Sequence, residues 1–356
     1  MLEAIDAAQQ SVFLEIYTFV ASPLGEQFRE ALVRARRRGA RVRVMVDALG
    51  SMALPSSFWM PLREVGGEFH FFNPHILNRF GVRDHRKLLV CDERVAFVGG
   101  FNISPEYEGD GVTCGWCDIG LKIEGAIAAQ LARSFQEMFE RAEALHQTIL
   151  RRPSFRRRST LAPGEELLLS GPGRGVSAIK RALRQDLARA RNVQVIVAYF
   201  LPTWRLRRAL TRVVQRGGNV ELILAGKSDV TLSQLAGRSL YRRFLKAGVA
   251  IYEYQPQILH AKLIIIDDVV YVGSANLDQR SLNINHELMI RFQNHEVAVR
   301  AREVFQNTLK HSQQITRENW RKSRTLWRRL KQHWAYFLLV RMDPIIARWR
   351  LKIATD

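Results

Sequence analysis

Two stretches of this chain repeat one another. His85-Arg86-Lys87, four residues and Asp92 return as His260-Ala261-Lys262, four residues and Asp267. Each copy runs on into a small-residue turn closed by an asparagine, Gly99-Gly100-Phe101-Asn102 in the first and Gly273-Ser274-Ala275-Asn276 in the second. The copies stand 175 residues apart. A lone histidine ahead of a lysine on a strand is ordinarily a satisfied structural residue. Repetition of the spacing together with the asparagine reverses that reading and points to an internal duplication whose two copies share one site. Neither copy has lost its His, Lys or Asn, which argues against an inherited but inactive site.

The flanking sequence repeats as well. A short helical stretch ending near Ala8, a strand over Val12–Phe19, an amphipathic helix around Leu24–Arg38 and the strand "RVRVMVD" open the chain. Gly39 closes that helix, and Arg36, Arg37 and Arg38 suit its C-terminal dipole. The second half follows suit with the strand "VQVIVAYF", a helix over Arg205–Arg216, Gly217-Gly218 and the strand "NVELILAG". Leu88-Leu89-Val90 and Leu263-Ile264-Ile265-Ile266 are too uniformly apolar for a sheet with a wet face, so they read as buried strands. In a strand residues two apart point to the same face, so each His and its Lys project together. The pattern predicts an α/β fold of βα units with sheets covered on both faces. The predicted division is a first domain over 1–150, a basic linker over 151–166 ("RRPSFRRRSTLAPGEE"), a second domain over 167–316 and a tail over 317–356. Pro153, Pro163, Gly164 and five arginines break regular structure in the linker and keep it solvated.

Two histidines and two lysines suit metal-free cleavage of a phosphodiester. Imidazole, with a pKa near ~6.5, can act as nucleophile in one copy and as acid in the other. Lys87 and Lys262 supply fixed positive charge, and Asn102 and Asn276 supply amide donors for the phosphoryl oxygens.

This constellation resembles the phospholipase D superfamily, whose signature is His-x-Lys-x4-Asp, and the resemblance covers most of the chain, from about Val12 to Glu287 and beyond. Within it, "LEIYTFVASPLGEQFREALVRARRRGARVRVMVDALGS", "DHRKLLVCDERVAFVGGFNIS", "YFLP" and "GSANLDQRSLNINHEL" are most similar to bacterial cardiolipin synthases, especially the B type. The resemblance implies two phospholipase D-like domains related by a pseudo-twofold axis, one active site at their interface and a phosphohistidine intermediate. By motif position His85 is the nucleophile and His260 the acid, an order the residues alone leave open. Family sites also place an acidic residue behind each histidine, and Asp118 and Glu287 occupy those positions. Asp92 and Asp267 belong to the signature and are expected to support its turn rather than react. Gly100, Ser104 and Ser274 are expected at the substrate. Glu15 is aligned with the apolar Ile196 of the second copy, so it is either a one-sided substrate-binding residue or the partner of an arginine.

The implied reaction is transfer of a phosphatidyl group between phospholipids, forming cardiolipin from phosphatidylglycerol, with phosphatidylethanolamine as another possible donor. The alternatives are a phospholipase D or nucleic-acid phosphodiesterase with water as acceptor, and a non-catalytic membrane- or nucleic-acid-binding protein. No metal or other cofactor is expected. Cys114 and Cys117 have CxxC spacing, but no second pair completes a zinc site, Cys91 lies in a buried strand, and the remaining histidines lack ligand spacing. An odd count of three cysteines gives no disulfide framework.

A net charge of +20 suits any polyanionic surface, and the tail discriminates further. From Arg317 to Lys352 there are eleven Lys/Arg against two Asp/Glu, with Trp320, Trp327, Leu330, Trp334, Phe337 and Leu338 at helical spacing. Beyond Pro344 come Ile345, Ile346, Trp349, Leu351 and Ile353 among further basic residues. The longest apolar run, Trp334–Val340, falls far short of the ~20 residues that cross a bilayer. The tail is therefore expected to lie in a membrane interface, drawn to anionic lipid, at the cytoplasmic face of a bacterial inner membrane, the alternative being an amphipathic helix packed on the protein's own core. Its Leu, Ile and Phe content favours lipid over nucleic acid, and no obligatory protein partner is implied. The opening residues carry no signal-peptide or hydrophobic-anchor pattern. Relatives of this type usually have another strand or loop before this point, so the real start is expected to lie upstream of Met1.

Overall fold

The computed structural model describes residues 1–73, 81–147, 157–172, 176–322 and 325–342. Helix α1 (Leu2–Ala7) leads into β1 (Ser11–Ile16), α2 (Pro23–Arg37), β2 (Arg41–Asp47), α3 (Met60–Glu64), β3 (Glu68–Phe72), β4 (Leu88–Cys91), β5 (Val95–Gly99), β6 (Gly120–Glu124) and α4 (Ala126–Gln147). The second half opens with the hairpin β7 (Arg158–Ala162) and β8 (Glu165–Ser170). It continues through α5 (Ala178–Leu187), β9 (Asn192–Val197), α6 (Trp204–Gln215), β10 (Asn219–Ala225), α7 (Thr231–Arg238), α8 (Tyr241–Lys246), β11 (Ala250–Tyr254), β12 (Lys262–Ile266) and β13 (Val269–Gly273). The chain then forms α9 (Gln279–Asn283), β14 (Glu287–Gln293), α10 (His295–Lys310), β15 (Ser312–Ile315), α11 (Arg317–Lys322) and α12 (Leu326–Phe337).

The sheet orders carry the duplication into three dimensions. The first sheet runs β3-β2-β1-β4-β5-β6, and inside the second the order β11-β10-β9-β12-β13-β14 is the same path strand for strand. Both begin with three parallel strands and continue antiparallel. The register confirms the alignment of the copies, since Glu15 stands opposite Leu88 and Ile196 opposite Leu263. The second sheet is extended at both edges, by β15 on β11 and by the β7–β8 hairpin on β14.

That hairpin corrects the predicted linker. Residues 158–162 and 165–166 are strand, and Pro163-Gly164 form the turn between them, with Gly164 at φ +80°. Turn chemistry was legible there, but it closes a hairpin whose inner strand is held by the apolar run Leu167-Leu168-Leu169 against β14. Residues 151–156 lie outside the described residues, as do Pro344 and the tail beyond it.

Side chains from the inner faces of both sheets meet in one core. Phe13, Leu88, Val98 and Phe135 of the first half belong to the same buried cluster as Ile196, Leu263, Leu288 and Phe305 of the second. Helices α4 and α10, which follow the last common strand in each copy, fill this middle layer. The outer faces are covered separately, by α1, α2 and α3 on the first sheet and by α5, α6 and α8 on the second. Both faces of each central strand are therefore dry, which explains the uniformly apolar runs.

Candidate active site

The repeated histidines do not sit inside the strands. Strand β4 starts at Leu88 and β12 at Lys262, so His85 and His260 end the extended segments just before them. Each of these segments is bridged to the opposite half. His85 N donates to His286 O at 3.0 Å and His286 N to Arg83 O at 2.8 Å. Cys117 N donates to Ile258 O at 2.9 Å, and His260 N donates to Cys117 O at 2.8 Å. These two short bridges sew the halves together at the histidines.

The bridges also cross the carboxylates over. Glu287 of the second half places Oε2 3.1 Å from Nδ1 of His85, while Asp118 of the first half places Oδ2 2.8 Å from Nδ1 of His260. Each histidine is thus oriented through Nδ1 by the other copy's acid, and Nε2 is the ring nitrogen that this acid does not engage. Both histidines line one cavity of about 570 Å³, together with Asn102, Asn276 and Ser104. The asparagines are matched in detail. Asn102 Oδ1 accepts from Thr18 N at 3.1 Å and Asn276 Oδ1 from Tyr199 N at 3.4 Å, fixing which way each amide faces. Asn102 Nδ2 donates to the Tyr107 hydroxyl, which lies 3.1 Å from His260 Nδ1.

Lys87 and Lys262 lie buried beneath the rings. Lys87 Nζ donates to His85 O at 2.8 Å, and Lys262 Nζ stands 2.7 Å and 3.1 Å from the two ring nitrogens of His260 and also donates to the His260 carbonyl. Burial lowers Lys87 to about 7, helped by Lys262, and lowers Lys262 to about 8. Burial, then Lys87 and Lys262, holds His85 well below the imidazole range. Burial and Lys262 bring His260 to about 4 against the pull of Asp118. Burial raises Glu287 to about 8, although Lys87 opposes it. A phosphate anion entering the cavity favours the protonated form of every one of these groups.

Several predicted site residues lie elsewhere. Asp92 accepts from the backbone N–H groups of Gln9, Gln10 and Ser11, and Asp267 from those of Arg191 and Asn192, so both tie a turn to the start of the first common strand. Both turns need φ near +50°, which an aspartate tolerates better than most residues. Neither lines the cavity. Glu15 does not line the cavity either. It is fully buried, and its Oε2 lies 3.0 Å from Nη2 of Arg86, itself fully buried. Gly100 makes room rather than contact, because a Cβ there would fall 2.3 Å from Asp118 Oδ1. Ser274 is absent from the cavity wall and instead donates its hydroxyl to Glu287 Oε2 at 2.5 Å, holding the acid that holds His85. The Cys114–Cys117 loop carries Asp118 and clamps the His260 segment through backbone. Among the described residues no group of three His, Cys, Asp or Glu could hold a metal.

The sequence reading missed much of the cavity wall. Tyr17 packs edge-on against His85 at 4.9 Å, Tyr107 and Trp116 surround His260 at 5.5 and 5.6 Å, and Arg83, Asp278 and Arg280 face the same space. Asp278 and Arg280 fall within "GSANLDQRS", already marked as characteristic, and could have been taken from it. The aromatic residues carry no such signal.

A family profile described as "Cardiolipin synthase, PLD-like domain" matches residues 1–141 and 183–309. The chain belongs to this phospholipase D-like family. The chain is 30% identical over 331 residues to cardiolipin synthase 1 of Bacillus anthracis, covering 88% of this chain and 65% of that protein. It thus spans about two thirds of the length of that relative. It is also 30% identical over 362 residues to cardiolipin synthase B of Salmonella typhi, covering 98% of this chain and 86% of the relative. Among solved structures, the phosphatidylserine synthase of Haemophilus influenzae Rd KW20 superposes with a TM-score of 0.73 at 14% identity, covering 97% of this chain and 91% of that one. That likeness is one of fold, and it runs over 97% of this chain.

Proposed function

We propose that the chain is a phosphatidyltransferase of the cardiolipin synthase type. The observation that carries this reading is the pair of crossed His–carboxylate contacts facing one cavity, within a family of that description. Nε2 of His85 attacks the phosphorus of a donor phospholipid, an N–P bond forms and the bond to the headgroup oxygen breaks. His260 gives that oxygen its proton. The primary hydroxyl of phosphatidylglycerol then loses its proton to His260 and attacks phosphorus, the N–P bond breaks, and cardiolipin leaves. With phosphatidylglycerol as donor the first product is glycerol, and with phosphatidylethanolamine it is ethanolamine. The electrostatics support this order. Burial holds His85 in its neutral, nucleophilic form, while the hydrogen bond that Nδ1 of His260 donates to Asp118 raises that ring's proton affinity.

The tail supports a peripheral position on an anionic membrane surface. Helix α12 turns Gln332 and Ala335 inward and leaves Leu326, Trp327, Leu330, Trp334 and Phe337 49% to 80% exposed. A helix that buries its glutamine and exposes its tryptophans is inverted for water and suited to a lipid interface. Exposed Arg328, Arg329 and Lys331 flank the stripe. Leu339, just beyond α12, lines the catalytic cavity, so the stripe adjoins the place where a lipid headgroup must enter. No helix among the described residues is long and apolar enough to cross a membrane. Domain limits of 1–147 and 157–316, with the hairpin assigned to the second unit, fit the two sheets.

The test is lipid mass spectrometry on purified protein incubated with phosphatidylglycerol liposomes, beside His85→Ala and His260→Ala. Cardiolipin is expected from the intact protein, and each variant should lose roughly four or more orders of magnitude in turnover. Phosphatidic acid without cardiolipin would mean that water is the acceptor and would overturn the synthase reading.

A further inference from the structure

A second cavity of about 330 Å³ adjoins the first. Its wall is made by α5, through Leu183, Lys180 and Arg184, and by the start of α6, through Trp204 and Arg205. Gln279, the first residue of α9, lines both cavities. Lys180 is held in place by a hydrogen bond to Asn283 at the other end of α9. Arg184 and Arg205 are exposed, and Trp204, 50% exposed, stacks with Arg208.

The charges of the two cavities differ. The catalytic cavity mixes signs, with Glu106, Asp229 and Asp278 against Arg83 and Arg280. Both arginines there are already engaged, Arg83 with Asp47 at 3.6 Å and Arg280 with Gly81 O at 2.8 Å. The second cavity has three cations and no carboxylate among its described lining residues. A transfer between two phospholipids needs such a division. The donor's phosphorus sits between the histidines, while the acceptor brings a second phosphodiester anion, three carbons from its attacking hydroxyl. Two anions packed into the mixed cavity would repel each other. An adjoining cationic cavity lets the acceptor keep its phosphate outside while its hydroxyl reaches in past Gln279.

We propose that this second cavity is the acceptor subsite, binding the phosphate of the acceptor phospholipid through Lys180, Arg184 and Arg205. The exposed face of Trp204 lies beside it, where the acceptor's acyl chains leave toward the lipid surface. The assignment rests on the transferase reading above, and its test separates the two.

In the full chain carrying His85→Ala, to prevent turnover, calorimetric titration with short-chain phosphatidylglycerol is expected to fill two sites. Adding Arg184→Gln and Arg205→Gln, both exposed substitutions, should leave one. In the active protein supplied with phosphatidylglycerol and ethanol, the same pair should lower the ratio of cardiolipin to phosphatidylethanol at least tenfold, because ethanol brings no phosphate. Two sites and an unchanged ratio in the Arg184→Gln/Arg205→Gln protein would overturn the proposal. Loss of one site in a chain that makes no cardiolipin would leave the lipid-phosphate site standing and the synthase reading lost. Inorganic phosphate as competitor distinguishes the sources of the anion. It should displace the second lipid only in large excess, and tighter binding of phosphate than of lipid would make this a free-phosphate site and overturn the acceptor assignment.

Discussion

Arg86 fills the variable position of the first His-x-Lys and pairs with Glu15, whereas the second copy has Ala261 and Ile196 in the same two places. One copy solves the site with an ion pair and the other with apolar side chains. Removing one partner of a buried pair leaves an uncompensated charge and costs about 3–5 kcal/mol, while an apolar replacement of both is often neutral. Arg86→Ala should therefore lower the urea midpoint sharply, and Glu15→Ile with Arg86→Ala should recover most of the loss. Asp92→Ala should cost stability of about 1–2 kcal/mol through its lost backbone contacts, yet change turnover of the folded protein by less than a few-fold. The histidines give stability a pH dependence. His260 takes its proton near ~6.5 in the unfolded chain and only at about 4 when folded, so the unfolded state binds more protons between those values. Stability should fall as pH drops through that window, by on the order of 3 kcal/mol from this group. Urea titrations from pH 7 to 4 should show the fall, with a shallower slope in His260→Gln.

At the scale of elements, α12 is the part whose surface and core are exchanged. Trp327→Ser with Trp334→Ser removes two exposed rings and touches neither the helix contact at Ala335 nor the cavity. Sedimentation with phosphatidylglycerol vesicles should show binding weakened at least tenfold, given the ~2 kcal/mol that burial of a large apolar side chain contributes. Hydrolysis of a soluble phosphodiester by the same variant should stay within twofold. The helical spacing of the stripe was legible in the sequence, as were the strands, because periodicity and apolar runs are local properties. Which face of α12 meets α7 was not, since the pattern names an apolar face without naming its partner. The 151–166 stretch shows the same limit. Its proline and glycine announced a turn, but pairing with β14, far along the chain, decides that the turn closes a hairpin.

Across the whole molecule, the duplication was readable from residue identity alone, and so were the residues that face the cavity from the motifs themselves. The crossing of Asp118 and Glu287 was not, because each follows its own histidine in the chain and only the meeting of the halves sends it to the other. The shared core has a thermodynamic corollary. Phe135 and Phe305, on helices from different halves, belong to one buried cluster, so neither half can lose its packing alone. Calorimetry should give a single transition with calorimetric and van't Hoff enthalpies in agreement, and two resolved transitions would contradict the common core.

The crossed acids also bear on how such a chain can be inherited. One copy carries an aspartate and the other a glutamate, one methylene longer, and each is fitted to its counterpart's imidazole. Recombination that doubled the first half would set aspartate behind two rings each fitted to a glutamate, and leave both a methylene short. Damage to either carboxylate is felt by the opposite histidine, so natural selection sees two ancestral modules as a single trait, and neither can drift on its own.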